Sequence, residues 1–142
     1  MQRTHAKMTP YIVSLTISGT LPSMKNQRRI VTNRKTGKLL SIKSEKAMDY
    51  EQVFLSQVPQ KARVNYLGDV SLRVRVWYPS RRNDLDVSYL CDLLAKAEII
   101  GNDRQIRHID AWGGVSKDDP RVIFSLYPLG EPTAATKETV NF

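Results

Sequence analysis

Cysteine is almost missing from this sequence. A single one, Cys91, excludes an internal disulfide and any zinc site built from several thiolates. Histidine is scarce as well. His5 and His108 stand far apart along the chain, so a structural zinc site is a poor reading and any metal bound here is expected to be held by oxygen. No apolar run approaches the roughly 18 residues that span a bilayer. The stretch Met1 to Thr9 also lacks the apolar segment that follows the basic residues of a secretion signal. An intracellular, cytoplasmic protein with no membrane partner is therefore expected, and no strong basic amphipathic helix argues otherwise.

Positive charge is what the chain has in excess. Lys and Arg number 22 against 14 Asp and Glu, a formal net charge of +8 with a pI near 9.8. Such a balance favours a polyanionic partner, nucleic acid first. At 142 residues, 41% hydrophobic and 25% charged, the chain suits one folded domain rather than disorder. Residues 1–129 read as that domain. Residues 130–142, with Gly130, Pro132 and small polar side chains, read as a mobile tail.

Period-two alternation predicts strands at Tyr11 to Ser18, at Asp69 to Tyr78 and at Arg121 to Leu126. The second is the clearest, with Val70, Leu72, Val74 and Val76 on one face and Ser71, Arg73, Arg75 and Trp77 on the other. Thr20 to Arg29 reads as an exposed loop. Arg29 to Thr32 and Lys38 to Ile42 flank Asn33 to Gly37, a turn-forming stretch, and predict a basic hairpin. Ser44 can cap a helix running from Glu45 through Ala47, Tyr50, Phe54 and Val58. Apolar residues at helical spacing predict a second helix over Val87 to Ile99, with Gly101 as its C-terminal cap and a short strand at Gln105 to Ile109. The fold class expected is α+β, a two-layer α/β arrangement of a small mixed sheet and two main helices.

Three carboxylates draw attention by position. Asp84 and Asp86 follow the clearest strand two residues apart, a spacing that points both to one side of an extended chain. Asp103 lies beyond the second helix and joins them only if the chain folds back. Clustered carboxylates repel and need a cation between them. Mg²⁺, which takes hard oxygen ligands, can orient a water and stabilise charge on a phosphodiester. Arg81 and Arg82 immediately before Asp84 can hold phosphates of the strand to be cut. A plainer alternative stands beside this one: Asp84 or Asp86 as a helix cap, and Asn102-Asp103 as an ordinary turn. Lys25, Arg28, Arg29, Arg34, Lys35 and Lys38 can grip DNA from the loop and hairpin, or simply form a soluble basic surface. Trp77 and Trp112 read first as packing residues, with stacking at a junction as the alternative. His108 reads as a surface or hydrogen-bonded imidazole.

The order Arg81-Arg82-Asn83-Asp84-Leu85-Asp86, then Asp92 to Ala97, then Ile100-Gly101-Asn102-Asp103-Arg104-Gln105-Ile106 resembles the RusA-type Holliday junction resolvases. Leu21-Pro22-Ser23-Met24-Lys25-Asn26 is similar to the Pro-Ser-x-Asn loop that those proteins carry after their first strand. The resemblance implies a homodimer that binds branched, four-way DNA and makes paired nicks with Mg²⁺ or Mn²⁺, in a prokaryotic or phage-encoded setting. By motif position it puts catalytic and metal-binding roles on Asp84, Asp86 and Asp103. Two departures are visible. Val87-Ser88-Tyr89-Leu90 contains no lysine where the family has a catalytic one, and Asn102 replaces the first acid of the usual Asp-Asp pair. Arg82, Lys96, Arg104 and Lys117 are the candidate substitutes for that lysine. The rival expectation is a non-catalytic nucleic-acid-binding protein of the same fold, and a third is a phosphodiesterase acting on flaps or RNA.

Overall fold

The structure is a computed structural model, and it describes residues 10–23, 28–32, 39–43 and 45–130. In chain order the elements are β1 (Val13–Ser18), β2 (Arg28–Thr32), β3 (Leu39–Lys43), α1 (Glu45–Gln57), β4 (Val70–Tyr78), α2 (Ser88–Lys96), β5 (Ile106–Val115) and β6 (Arg121–Pro128).

Alternation in β4 organises the molecule. Val70, Leu72, Val74, Val76 and Tyr78 are buried while Arg73 and Arg75 are exposed on the reverse side, as the two-residue repeat of an extended chain requires. β6 pairs antiparallel with β4 and sets Leu126, Phe124 and Val122 beside Leu72, Val74 and Val76. β1 pairs antiparallel with the other side of β6, Val13 opposite Leu126 and Ile17 opposite Val122. β5 runs parallel to β4, which gives a mixed sheet of order β1-β6-β4-β5. A parallel neighbour cannot be reached by a tight turn, and α2 supplies the crossover between β4 and β5. β2 and β3 form a separate antiparallel pair, as the hairpin reading expected.

Both helices contribute to one apolar cluster with a single face of the sheet. Phe54 of α1 stacks on Phe124 with ring centroids 6.2 Å apart, and Tyr89, Leu90, Leu93 and Leu94 of α2 are buried in the same cluster. Truncating a buried phenylalanine such as Phe54 to alanine costs about 3–5 kcal/mol. The Tyr89 hydroxyl donates to the Ala47 carbonyl (2.8 Å) and to the Glu51 carboxylate (3.2 Å), which the Lys96 ammonium also meets at 2.9 Å. Arg63 donates to the Leu55 carbonyl (2.8 Å) and the Ala97 carbonyl (3.4 Å), holding the last turns of both helices together.

Several boundaries depart from the sequence reading. The first strand begins at Val13 and the last runs on to Pro128. Within Thr20 to Arg29, Leu21 and Pro22 are buried and Arg28 and Arg29 open β2, so this stretch is not an exposed loop throughout. The second helix stops at Lys96 rather than Ile99, and Gly101 is not its cap. Glu98 takes the left-handed conformation (φ 61°), its amide turning back to the Ala95 carbonyl and that of Ile99 to the Leu94 carbonyl. That is a Schellman end made without glycine. β5 is ten residues long, not a short strand at Gln105 to Ile109, because its pairing with β4 persists to Val115. The hairpin turn Asn33 to Gly37, the capping Ser44, Lys25 and residues 131–142 lie outside the described residues, as do the side chains of Arg28, Arg29, Arg34, Lys35 and Lys38.

Candidate functional site

Pro79 ends β4, and the segment to Val87 carries Arg81, Arg82, Asp84 and Asp86 toward the start of α2. Ser80 shapes its beginning, its hydroxyl oxygen accepting the Arg82 amide at 3.2 Å. Asp86 is the most firmly held acid. Its Oδ1 accepts the Ser88 amide (3.0 Å) and the Ser88 hydroxyl (2.7 Å), and its Oδ2 accepts the Ser23 hydroxyl (3.0 Å). The Asp86 amide in turn donates to the Tyr78 hydroxyl at 3.3 Å. Asp86 thus satisfies an amide at the start of α2, where a carboxylate is favoured by the helix dipole. The N-cap of α2 is Val87 and no side chain caps it, so Asp86 makes an Asx-type turn just before the helix rather than the cap of the plainer reading. The Ser23 bond is not part of that turn, and it comes from the Leu21-Pro22-Ser23 segment after β1.

Asp84 is exposed and borders a cleft of about 580 Å³. Arg82 and Lys46 supply positive charge to that cleft, Asp49 negative charge, and Tyr50 and Val53 an apolar wall. The Tyr50 hydroxyl is buried without a hydrogen-bond partner among the described residues, and burial pushes its pKa upward. Arg81 is exposed on the other side of the segment, lining a hollow with Leu85 and Gly113.

Asp103 opens a single 3-10 turn, Asp103–Gln105, ahead of β5. Asn102 caps it by accepting the Arg104 amide at 2.8 Å, which gives the Asn in place of an acid a local purpose. Gln105 completes the turn. Its side-chain oxygen accepts the amides of Gly101 (2.8 Å) and Asn102 (2.7 Å), while its nitrogen donates to the Tyr66 and Gly68 carbonyls, both at 2.7 Å.

Strand register works against a cluster of the three acids. Asp103 just precedes Ile106, which pairs with Val70, whereas Asp84 and Asp86 follow Tyr78 at the opposite end of β4. Two features shorten the gap: α2 has only nine residues, about 14 Å at 1.5 Å per residue, and the turn at Asp103 packs against it. The electrostatics record the outcome. Burial pushes the Cys91 thiol up to about 11, and the carboxylates of Asp92, Asp103 and Asp86 add to the effect. Burial likewise raises Tyr78; the Asp86 amide opposes this, while the Asp86 and Asp84 carboxylates reinforce it. Asp84 and Asp86 thus both act on Tyr78, and Asp86 and Asp103 both act on Cys91. Among the described residues, no three acid, histidine or cysteine side chains are gathered closely enough to hold an ion as they stand. Donor chemistry fits Mg²⁺, all three being hard carboxylate oxygens.

Of the cations named from sequence, Arg82 shares the cleft with Asp84 and Arg104 adjoins Asp103, both exposed. Lys96 is engaged by Glu51 near the end of α2 remote from Asp86, and Lys117 is exposed between β5 and β6. Sequence reasoning missed Ser23, Tyr78, Ser88, Lys46 and the role of Gln105. Ser88 carried a local signal, standing two residues after an aspartate, where an Asx turn forms, and Ser23 and Gln105 stood only inside the segments that carry the resemblance. His108 is hydrogen-bonded as expected, Nδ1 lying 2.8 Å from the Ser71 hydroxyl. Compared with known proteins, the chain matches no family model and no curated protein.

Proposed function

We propose that this chain is a Mg²⁺-dependent, structure-specific endonuclease of the RusA type that acts as a homodimer and makes paired nicks in four-way or related branched DNA. The observation that carries the reading is Asp86, clamped by Ser23 and Ser88 beside a cleft that Asp84 and Arg82 line. A carboxylate oriented from two separate segments of chain is more than a helix cap needs. Asp84, Asp86 and Asp103 would hold the ion. Bound Mg²⁺ supplies charge stabilisation at the phosphodiester and a water poised for in-line attack. Arg81 and Arg82 position the flanking backbone, and Arg82 with Lys46 supplies the positive charge that the absent lysine would give. The net charge of +8 supports a DNA partner. No helix among the described residues is long and apolar enough to cross a membrane.

A second reading has its own support: among the described residues the acids are not gathered into a tight cluster, which suits a non-catalytic nucleic-acid-binding protein of the same fold. Labelled four-way, forked and linear duplex DNA, incubated with the protein in Mg²⁺ or EDTA beside an Asp86→Asn variant, separates the two. Paired nicks on the four-way substrate in Mg²⁺, absent in EDTA and in Asp86→Asn, are the expected result. Binding without any metal-dependent nick gives the second reading the field.

A further inference from the structure

The face of the sheet turned away from the helices is covered by no described element, and its composition is not that of an idle solvated surface. Register places Ser71, Arg73, Arg75 and Trp77 of β4 there, with His108, Asp110 and Trp112 of β5 on one side and Arg121, Ile123, Ser125 and Tyr127 of β6 on the other. Trp112 is 64% exposed, so the expectation that it packs is wrong. Its indole N–H donates to Asp110 at 3.0 Å, which holds the ring in place on the open face. Trp77 lies across Gly114, where an added Cβ would stand 3.2 Å from the indole, and the Arg121 guanidinium covers it at 4.1 Å from the ring centroid. Arg73 stands 5.9 Å from the Tyr127 ring centroid. Two shallow hollows, of about 330 and 340 Å³, meet at Arg75 and Trp112.

Aromatic rings interleaved with guanidinium groups on an open sheet match a ligand that offers flat π surfaces and negative charge together. Single-stranded nucleic acid does this, its bases stacking on the rings and its phosphates meeting the arginines. A duplex presents only phosphates to such a face. A second copy of the chain is disfavoured by charge: Arg73, Arg75 and Arg121 stand here against Asp110, with Asp119 at the margin, and a two-fold contact would bring the arginines together. Arg75 is exposed and makes no ion pair among the described residues.

We propose that this open face, centred on Arg75 and Trp112, is a platform for an unpaired nucleic-acid strand, separate from the acidic residues that follow β4. The two tryptophans of the chain both lie on it, so intrinsic fluorescence reports its occupancy directly. Titrating the full chain in EDTA with a short oligothymidylate, an oligouridylate and a duplex of matched length tests this. Either single strand should quench the tryptophans and bind more tightly than the duplex. Trp112→Ala should weaken that binding about tenfold. Arg75→Ala should reduce the slope of log K against log salt by about 0.7, and Arg75→Lys should restore the slope. Folding is checked by far-ultraviolet circular dichroism, and both substituted side chains are exposed. Undiminished affinity in Trp112→Ala, a preference for duplex, or quenching that grows with protein concentration in the absence of oligonucleotide overturns the proposal, the last assigning the face to a second copy. The nicking assay is independent of this one, so failure of the nuclease reading and failure of the platform are told apart.

Discussion

Gln105 donates its side-chain amide to the Tyr66 carbonyl 2.7 Å away, and through that bond the turn bearing Asp103 is fastened to the segment leading into β4. All four hydrogen-bonding positions of the Gln105 amide are used, two by carbonyls and two by backbone amides. Gln105→Ala should therefore lower stability by about 2–3 kcal/mol, as several partly shielded groups lose a partner at roughly 1 kcal/mol each. A lower urea midpoint at unchanged m-value is the expected signature. A midpoint equal to that of the parent protein would mean that water replaces the side chain without loss.

Glu98 occupies a left-handed conformation that side chains bearing a Cβ adopt only at a cost. Glu98→Gly should raise stability by about 0.5–1 kcal/mol, the relief of strain exceeding the added freedom of the unfolded chain. Thermal unfolding reads this as a higher Tm, whereas Glu98→Val should lower it. The reverse order of the two variants would contradict the cap described for α2.

Cys91 reports on the approach of Asp103 to Asp86 without reference to catalysis. Its thiol, raised from 9.0 to about 11 chiefly by burial, should react slowly with alkylating reagents at pH 8 in the native protein. Asp103→Asn and Asp86→Asn should each speed alkylation and shift its pH profile downward, since each removes a carboxylate that disfavours the thiolate. Stability follows with a definite sign. The folded pKa lies above the unfolded one, so the contribution is complete below pH 9 and is lost as pH rises from 9 to about 11. Cys91→Ala should flatten that part of the stability curve. An alkylation profile indifferent to Asp103→Asn would place its carboxylate away from α2.

Ser23 and Ser88 hold Asp86 without being ligands themselves. On the proposed nuclease reading, Ser23→Ala and Ser88→Ala should each reduce Mg²⁺ affinity or nicking about 10–100-fold, the usual effect of losing a partner that orients a ligand. Titrating Mg²⁺ in the four-way junction assay separates weaker metal binding from slower turnover. Ser88→Ala also removes a bond near the start of α2, so the more telling variant is Ser23→Ala, which lies far from it in sequence. Full activity in Ser23→Ala would reduce Asp86 to a turn former ahead of α2.

Much of this architecture was legible because period alone carries it. The repeat from Val70 to Tyr78 marks both the central strand and its buried face, and the spacing of Tyr89, Leu90, Leu93 and Leu94 marks a helix against it. The length of β5 was hidden. Gly113 and Gly114 weaken any strand pattern, yet Gly114 leaves room for the Trp77 ring, a contact made only in the assembled fold. The end of α2 is hidden for a related reason: glycine is the usual left-handed residue and points to Gly101, whereas Glu98 takes that conformation here. In the candidate site, the acids could be singled out from their positions, but their supports could not. Ser23 and Asp86 are joined across 63 residues of chain, and nothing in local composition signals a bond of that range.

The pairing of β1 with β6 has a consequence for biosynthesis. Ile17 and Val13 find their neighbours only when Val122 and Leu126 have left the ribosome. At ~5–20 residues per second that delay is on the order of 10 s. Throughout it the apolar side of β1 has no strand to shield it, and the nascent chain offers that stripe to any chaperone at the tunnel exit. Sealing of this side of the interior thus waits for β6, however early β1 is made.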